Sequence, residues 1–360
     1  MMDLKNLYWN RAYMGTTQPI SAPGQNSSLR QLRDPLAPTI FHEPWWLEAA
    51  TGGQYEEVTV SSGGRVVGRL PYLRKQRFGF TSFVPPELTH FLGPAVDEGN
   101  GTMESQNLRR SEITMELIEK LPSFGYFYQQ FHRGVPDTLP FTQHGFTTEL
   151  LFTYEVMPAP EETIWRNMRD KTRNVIRRAQ EKTELFEVEP DAFCTLYEAN
   201  LQNRGKHSNY MFGPDARFLL ATALERGRAR LLGAKDENGA VLAAICYVWD
   251  DQVSYYMLTT RAHDTHNGVV SRLIWEAMRD SAARGLIFDF DVVGTAGSVL
   301  FYTAFGGEVR PRYLVKRITP TYSIIQSSLL KSRKIAESVK SLYARAQPSN
   351  GKSLSGEEPA

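Results

Sequence analysis

The feature that most narrows what this chain can fold into is a run of alternating elements between residues 229 and 318. Three apolar strands separated only by tight turns come first, and an apolar helix then starts directly after a glycine. A strand, a short helix and a last strand complete the series. In chain order the predicted elements are Ala229–Lys235, Val241–Trp249, Val253–Thr259, Val269–Arg284, Leu286–Val292, Gly297–Phe305 and Glu308–Ile318. An antiparallel meander followed by alternating helices and strands predicts an α/β chain with a mixed, mostly antiparallel sheet flanked by helices.

The chain ahead of this series predicts a second block of strands. Glu57–Val60 and Arg65–Tyr72 flank a Ser-Ser-Gly-Gly turn, and Tyr126–Phe131 and Leu150–Val156 alternate like strands. Helices are predicted over Glu112–Leu121, Glu161–Lys182, Asp191–Asn203 and Pro214–Arg226. The predicted divisions are a flexible arm at 1–37, an N-terminal domain at 38–156, a C-terminal domain at 157–319, a helix at 320–346 and a disordered tail at 347–360.

Composition excludes several classes of function. The 360 residues include 41 basic and 40 acidic side chains, a net charge of +1, so no global field predicts DNA as a partner. The longest apolar run, Val241–Trp249, falls far short of the ~20 residues that span a bilayer. Cys194 and Cys246 lie far apart in apolar surroundings, which favours a reducing, cytoplasmic setting. No HExxH or CxxC spacing predicts a metal site.

The glycine that opens the helix and a tyrosine downstream carry the first functional prediction. Gly268 begins a helix directly after a strand, where free backbone N–H groups and the helix dipole suit a pyrophosphate. Tyr302 lies four residues before Gly306, at the end of a short helix after the next strand. This order resembles the GNAT acyltransferases, although Thr265 and Val270 stand where that family has Gln or Arg and a small residue.

The GNAT resemblance implies an acyl-CoA co-substrate, with acetyl-CoA as the simplest. In that family the helix start cradles the coenzyme A pyrophosphate, and the tyrosine protonates the departing thiolate. Carried over to this chain, Tyr302 is the implied general acid. The implied cofactor-binding residues are Thr259, Thr260, His266, Asn267, Gly268 and Val269.

Several short stretches, in order from Phe41 to Arg317, resemble one branch of that superfamily, the FemAB-like two-domain GNAT proteins found with polysaccharide or cell-envelope biosynthesis. They include Phe41–Leu47, Lys171–Ala179, Leu273–Ala277 and Phe288–Asp291. The resemblance implies two GNAT-like domains in tandem, the first a degenerate copy without cofactor. It also implies a small-molecule amine acceptor, with a sugar-linked amine as one candidate.

Two carboxylates in one predicted strand are candidates for binding the amine acceptor and accepting its proton. In Phe288-Asp289-Phe290-Asp291 both aspartates project to one face. Asp291 lies nearer the carboxyl end, where open α/β sheets bind ligands. An attacking amine must lose a proton, so Asp291 is the predicted general base, and Asp289 is a predicted substrate-binding residue. The alternative for Asp291 is a cap on the Gly294–Ser298 turn.

Basic residues on the first long helix, and a polar loop, are the other candidates. Arg173 and Arg177 are i,i+4 neighbours that share a helix face and could hold phosphates of an activated sugar. His207 lies in a polar loop between two helices, where acceptor-binding groups often occur. The alternative for all three is a solvated surface.

Three functions fit these patterns. The first is an acyl-CoA-dependent N-acyltransferase acting on an amino sugar or related precursor. The second is a FemAB-like transferase that uses aminoacyl-tRNA, against which the chain lacks a long basic coiled-coil hairpin. The third is a GNAT-like binding module without activity.

Overall fold

A computed structural model describes residues 34–77, 79–203, 214–262 and 265–328. The described residues from Pro35 onward belong to one compact unit. Among them, no helix is long and apolar enough to cross a bilayer.

The N-terminal half, Pro35 to Val156, contains a meander and three helices. Both glycines of the Ser-Ser-Gly-Gly turn, Gly63 and Gly64, have positive φ, which explains why the tight turn needs them. The predicted hairpin is confirmed, while two strands and one helix were not predicted. The elements are α1 Pro44–Thr51, β1 Tyr55–Ser62, β2 Arg65–Arg77, β3 Phe80–Val84, β4 Ala95–Val96, α2 Met103–Glu119, β5 Tyr126–Gln130, α3 Leu139–Gln143 and β6 Thr147–Val156.

The C-terminal half, from Met157 to Ile318, follows the predicted order of elements closely. Every strand predicted there is present, with bounds that differ by a few residues at most. The elements are α4 Glu161–Asn167, α5 Asp170–Lys182, β7 Glu184–Glu187, α6 Pro190–Gln202, α7 Pro214–Glu225, β8 Ala229–Lys235, β9 Val241–Trp249, β10 Val253–Arg261, α8 Asn267–Ala283, β11 Ile287–Val292, α9 Ala296–Thr303 and β12 Glu308–Ile318. Residues 320–328 are helical, and the rest of the predicted last helix lies outside the described residues.

One predicted helix is two helices. The prediction of a single helix over Glu161–Lys182 is wrong because Met168 and Arg169 adopt extended backbone between α4 and α5. The Arg169 N–H donates to the Ala304 carbonyl instead of continuing the helix. The Arg173 side chain donates hydrogen bonds to the Arg166 and Met168 carbonyls at 2.8 and 3.0 Å. It thereby gives partners to carbonyl groups at the end of α4 that have none within the helix.

All twelve strands of the described chain join one sheet, and its order links the two halves. The order is β1-β2-β3-β5-β12-β6-β11-β10-β9-β8-β7, with β4 paired to β2. The last strand, β12, lies between β5 and β6, and β6 in turn pairs with β11. Since β11 carries the predicted catalytic carboxylate, the N-terminal half borders the candidate site directly.

The apolar cores support the same arrangement. One buried cluster combines Phe41, Trp46 and Leu92 of the N-terminal half with Leu219 and Tyr255 of the C-terminal half. Trp46 is fully buried, and its neighbour Trp45 packs partly buried against the same cluster. Separate clusters lie under α8 and α9 and between α2 and the N-terminal strands. Large apolar burial across the junction holds the halves in one body.

Candidate active site

The parallel strands β10 and β11 pair over a short length and then separate. Their pairing covers only Val253–Tyr255 against Ile287–Asp289. Beyond that point β10 has an irregularity in its pairing with β9 between Tyr256 and Leu258. Carboxyl ends of parallel strands are where open α/β sheets bind ligands. The separating ends of β10 and β11 therefore mark the candidate site.

Tyr302 lies beside this opening, on α9. A capping box between Thr295 and Ser298 starts α9 about two turns before the tyrosine. The Tyr302 ring packs against Phe290 at 4.7 Å between centroids. Burial, with the negative charge of Asp291 adding to it, raises the pKa of Tyr302 to about 12. The phenol therefore keeps its proton at neutral pH and can act as a proton donor.

Asp291 occupies the end of β11 in a strained conformation. Its φ is +66°, in the left-handed region that non-glycine residues rarely adopt. Its backbone N–H donates to Oδ1 of Asp289 at 2.9 Å, which fixes this turn of the chain. The side chain is 28% exposed, and Oδ1 has no hydrogen-bond partner among the described residues. Strain of this kind is concentrated at functional sites.

A histidine from the N-terminal half faces Asp291. His90, between β3 and β4, places Nδ1 3.0 Å from Oδ2 of Asp291, and its side chain is only 6% exposed. Phe41 stacks on the imidazole at 5.9 Å. Burial works against the charged imidazole, but the attraction of Asp291 outweighs it, and the pKa of His90 is raised above its ordinary value. Nε2 meets no hydrogen-bond partner in the described part of the chain.

Asp289 is enclosed in a buried ionic network behind Asp291. It accepts hydrogen bonds from Thr153 Oγ1 and, at 2.8 Å, from Arg312 Nη2. Arg312 also donates to Glu155, which a second arginine, Arg133, reaches at 3.2 Å. Burial opposes the charge on Arg312, but Asp289 and Glu155 hold the pKa of its guanidinium above the ordinary value. Asp289 is fully buried, so in this conformation its side chain supports the site rather than facing a substrate.

The predicted pyrophosphate cradle is closed by its own residues. The Gly268 N–H donates to Nδ1 of His266 at 3.0 Å, so the histidine caps α8. A Cβ on Gly268 would lie 3.0 Å from the Val175 carbonyl oxygen, which shows how tightly α5 covers the helix start. The Gly268 and Val269 N–H groups at this helix start both donate to His266, so a coenzyme A pyrophosphate does not fit there unless His266 moves aside.

The other predicted cofactor-binding residues lie mostly in the core. Val269 is buried, and Thr260 is buried where it accepts a hydrogen bond from Asn200 at 3.0 Å. Thr259 is exposed on β10. Asn267 is the first residue of α8, and its side chain is outside the described set. Of the predicted cofactor-binding residues whose exposure is described, Thr259 and His266 face solvent.

The predicted substrate-binding arginines have structural contacts. Arg173 caps α4 and pairs with Asp170. Arg177 donates to Asn174 at 3.0 Å and lies over the Trp165 ring, 5.3 Å from its centroid. His207 lies outside the described residues. The structure thus groups Asp291 and Tyr302 at one opening, with Asp289 behind them and the arginines engaged in helix contacts.

Sequence reasoning did not find His90, Glu155 or Arg312. His90 lies in Leu88-Thr89-His90-Phe91-Leu92, where a single titratable group among apolar residues is the available signal. Glu155 in the strand Phe152–Val156 gives a similar one. Both signals are as common for ordinary core residues, so only the strand order reveals that these residues meet.

Comparison with known proteins agrees with this geometry. Residues 166–298 match the acetyltransferase (GNAT) domain family. The fold is similar to the crystal structure of FemX, with a TM-score of 0.58 at 13% identity over 78% of this chain and 92% of FemX. It is also similar to the C-terminal domain of a putative lysylphosphatidylglycerol synthetase from Agrobacterium fabrum, with a TM-score of 0.53 at 14% identity over 83% of this chain and 95% of that domain. No curated protein matches by sequence. The chain therefore shares its fold with FemX, and residues 166–298 match the acetyltransferase (GNAT) domain family.

Proposed function

We propose that this chain is an acyltransferase that moves an acyl group from an activated donor to the amine of a sugar, a nucleotide sugar or a related cell-envelope or polysaccharide precursor. The observation that carries the proposal is the pairing of a carboxylate and a protonated phenol at one opening. Asp291 and Tyr302 are near enough for the charge of Asp291 to raise the pKa of Tyr302. The match of residues 166–298 to the acetyltransferase domain supports the transferase class.

The two residues have complementary roles. The amine nitrogen attacks the acyl carbon, a C–N bond forms, and the bond between the acyl carbon and the leaving group breaks. Asp291 accepts the proton that the amine loses, and Tyr302 gives its proton to the leaving group. Asp291 and Tyr302 are both partly exposed, so an amine can reach the carboxylate, and the raised pKa of Tyr302 keeps its proton in place. No acceptor-specific contact is needed for this division of roles.

The identity of the donor is a separate part of the proposal. The GNAT resemblance favours acyl-CoA, and acetyl-CoA is the first donor to test. The closed start of α8 favours the second candidate, an aminoacyl-tRNA-dependent transferase, since such a donor does not need a pyrophosphate at Gly268. The fold shared with FemX and with the lysylphosphatidylglycerol synthetase domain is compatible with that candidate.

A donor and acceptor panel tests the proposal. The chain is incubated with acetyl-CoA or with aminoacyl-tRNA, each against glucosamine, a UDP-amino sugar and an amino acid, and acylated amines are detected by mass spectrometry. Free thiol is followed in the acetyl-CoA arm. We expect an acylated amine from one donor, and Tyr302→Phe should reduce its rate. A wild-type chain that acylates no amine from either donor would refute the proposed function and leave the binding module.

The His266 cap allows the donors to be distinguished by binding. If acyl-CoA is the donor, acetyl-CoA should raise the melting temperature, and His266→Ala should strengthen that effect by freeing the Gly268 N–H. If aminoacyl-tRNA is the donor, His266→Ala should lower stability by about 0.5–2 kcal/mol through loss of the cap and should leave transfer unchanged. Binding of charged tRNA should then weaken steeply with salt.

A further inference from the structure

His90 is a buried titratable side chain to which the proposed function gives no task. Two aromatic residues of the N-terminal half, Phe41 and Phe91, contact its ring. Nδ1 lies 3.0 Å from Oδ2 of Asp291, but neither ring nitrogen makes a hydrogen bond of good geometry to the described residues. Leaving a buried ring nitrogen without a partner is unfavourable, and a group placed only for packing would more readily be apolar. The position therefore calls for an explanation in terms of Asp291.

A carboxylate is in general a weaker proton acceptor than an imidazole. A carboxylate has an ordinary pKa near 3.9, whereas imidazole has an ordinary pKa near 6.5. Asp291 lies between solvent and His90, since its side chain is 28% exposed and that of His90 is 6% exposed. A proton that arrives at the carboxylate from the open side has the imidazole directly behind it. The two side chains are thus arranged as a proton relay, in which Asp291 is the outer group and the imidazole of His90 is the inner, stronger base.

The charges around His90 are suited to reversible protonation of its imidazole. Asp291 and, more distantly, Asp289 are the carboxylates that act on the imidazole and favour its protonated form. Arg312 pairs with Asp289, so much of that second charge is already balanced. Phe41 and Phe91 bring no charge. One carboxylate therefore dominates the charges around the imidazole and raises the pKa of His90.

We propose that His90 is the final proton acceptor of this site: the amine proton passes to the Asp291 carboxylate and from there to Nδ1 of His90. The inference rests on the proposed function and deepens it, because it makes the N-terminal half part of the reacting site. The atoms balance within the site. As the C–N bond forms, His90 gains the amine proton by way of Asp291, and Tyr302 loses its proton to the leaving group. Return of a proton from His90 to the Tyr302 oxygen through solvent at the opening resets both residues.

The kinetic test uses the full chain. Its substrates are the donor, acetyl-CoA or aminoacyl-tRNA, and the amine, such as glucosamine, that give transfer in the panel described above. His90→Gln keeps a buried hydrogen-bonding side chain that does not titrate. We expect it to lower kcat by about 10²-fold and to remove the acidic limb of the pH profile of kcat/KM. His144→Gln is the matched control, since that histidine is the residue that follows α3 and its side chain is 27% exposed. It should change neither quantity.

A folded His90→Gln variant with wild-type kcat and an unchanged acidic limb would overturn the inference. If the variant does not fold, His90→Ala is assayed with added imidazole. Recovery of the rate supports the relay, and a folded His90→Ala variant that imidazole does not rescue counts against it.

Titration of the ring by ¹⁵N NMR separates this inference from the proposed function. In the wild-type chain His90 should titrate above its ordinary range, and Asp291→Asn should move the midpoint down. If the titration midpoint of His90 is the same in Asp291→Asn as in the wild-type chain, the inference is overturned even when the chain is active. If the wild-type chain transfers nothing, the proposed function fails, and the same titration still shows whether Asp291 controls a proton on His90.

Discussion

Replacement of Arg312 by methionine tests the buried network that positions Asp291. The guanidinium is 5% exposed and lies between Asp289, 0% exposed, and Glu155, 1% exposed. Methionine retains much of the side-chain volume, so the main loss is the positive charge. Arg133 remains on Glu155, but no described residue replaces Arg312 on Asp289. Removal of one partner from a buried ion pair costs about 3–5 kcal/mol, and we expect a loss of stability in that range.

Arg310→Met is the matched control, because Arg310 is two residues away on the same strand. Its side chain is 44% exposed and lies 3.8 Å from Glu155, so solvent screening should limit its contribution to about 0–1 kcal/mol. Urea unfolding followed by tryptophan fluorescence measures both variants, and in a chain of this size a change of 3–5 kcal/mol corresponds to roughly 4–8 °C in Tm. Equal losses for the two variants, or an Arg312→Met variant within 1 kcal/mol of wild type, would refute the reasoning.

Three further predictions concern stability and binding. The raised pKa of His90 means that the ion pair with Asp291 stabilises the fold fully below about pH 6.5 and that this contribution is lost as the pH rises through the folded-state pKa. Melting temperatures between pH 6 and 9 should fall in wild type through this cause, and His90→Gln should show a flatter curve; parallel curves would contradict it. Gly268→Ala should destabilise the chain by about 1–3 kcal/mol, because its Cβ would meet the Val175 carbonyl at 3.0 Å. Gly297→Ala on α9, where the nearest atom is at 3.8 Å, should be neutral or stabilising by up to about 1 kcal/mol in the same melts, and a larger loss there than at Gly268 would show that the packing argument is wrong.

The sequence predicted the strands of the C-terminal half well because their apolar runs are bounded by clear turn signals. The bounds of Val241–Trp249 and Glu308–Ile318 are those of β9 and β12. The break at Met168 was not predictable, since it depends on the Ala304 carbonyl, far away in sequence. Local periodicity reports only contacts between near neighbours along the chain.

Because local sequence patterns report only near neighbours along the chain, they predicted some residues of the candidate site and missed others. Asp291 and Tyr302 stood out because each has a position relative to a strand or a glycine that can be recognised in the sequence. His90 is 201 residues from Asp291, and the two meet only because β6 and β12 bring the N-terminal half alongside β11. Glu155 and Arg312 are brought together by the same strands. Contacts across a sheet cannot be read from local pattern, although burial of a lone charged residue hints at them.

The most direct test of the account is the effect of Asp291→Asn and Tyr302→Phe on the rate of amine acylation. Both are measured with the active donor and acceptor, and circular dichroism confirms folding. Each variant should lower kcat by about 10²-fold or more, with a smaller change in KM, because each removes a proton transfer and not a binding contact. Wild-type kcat in both folded variants would contradict the claim that acyl transfer takes place between Asp291 and Tyr302.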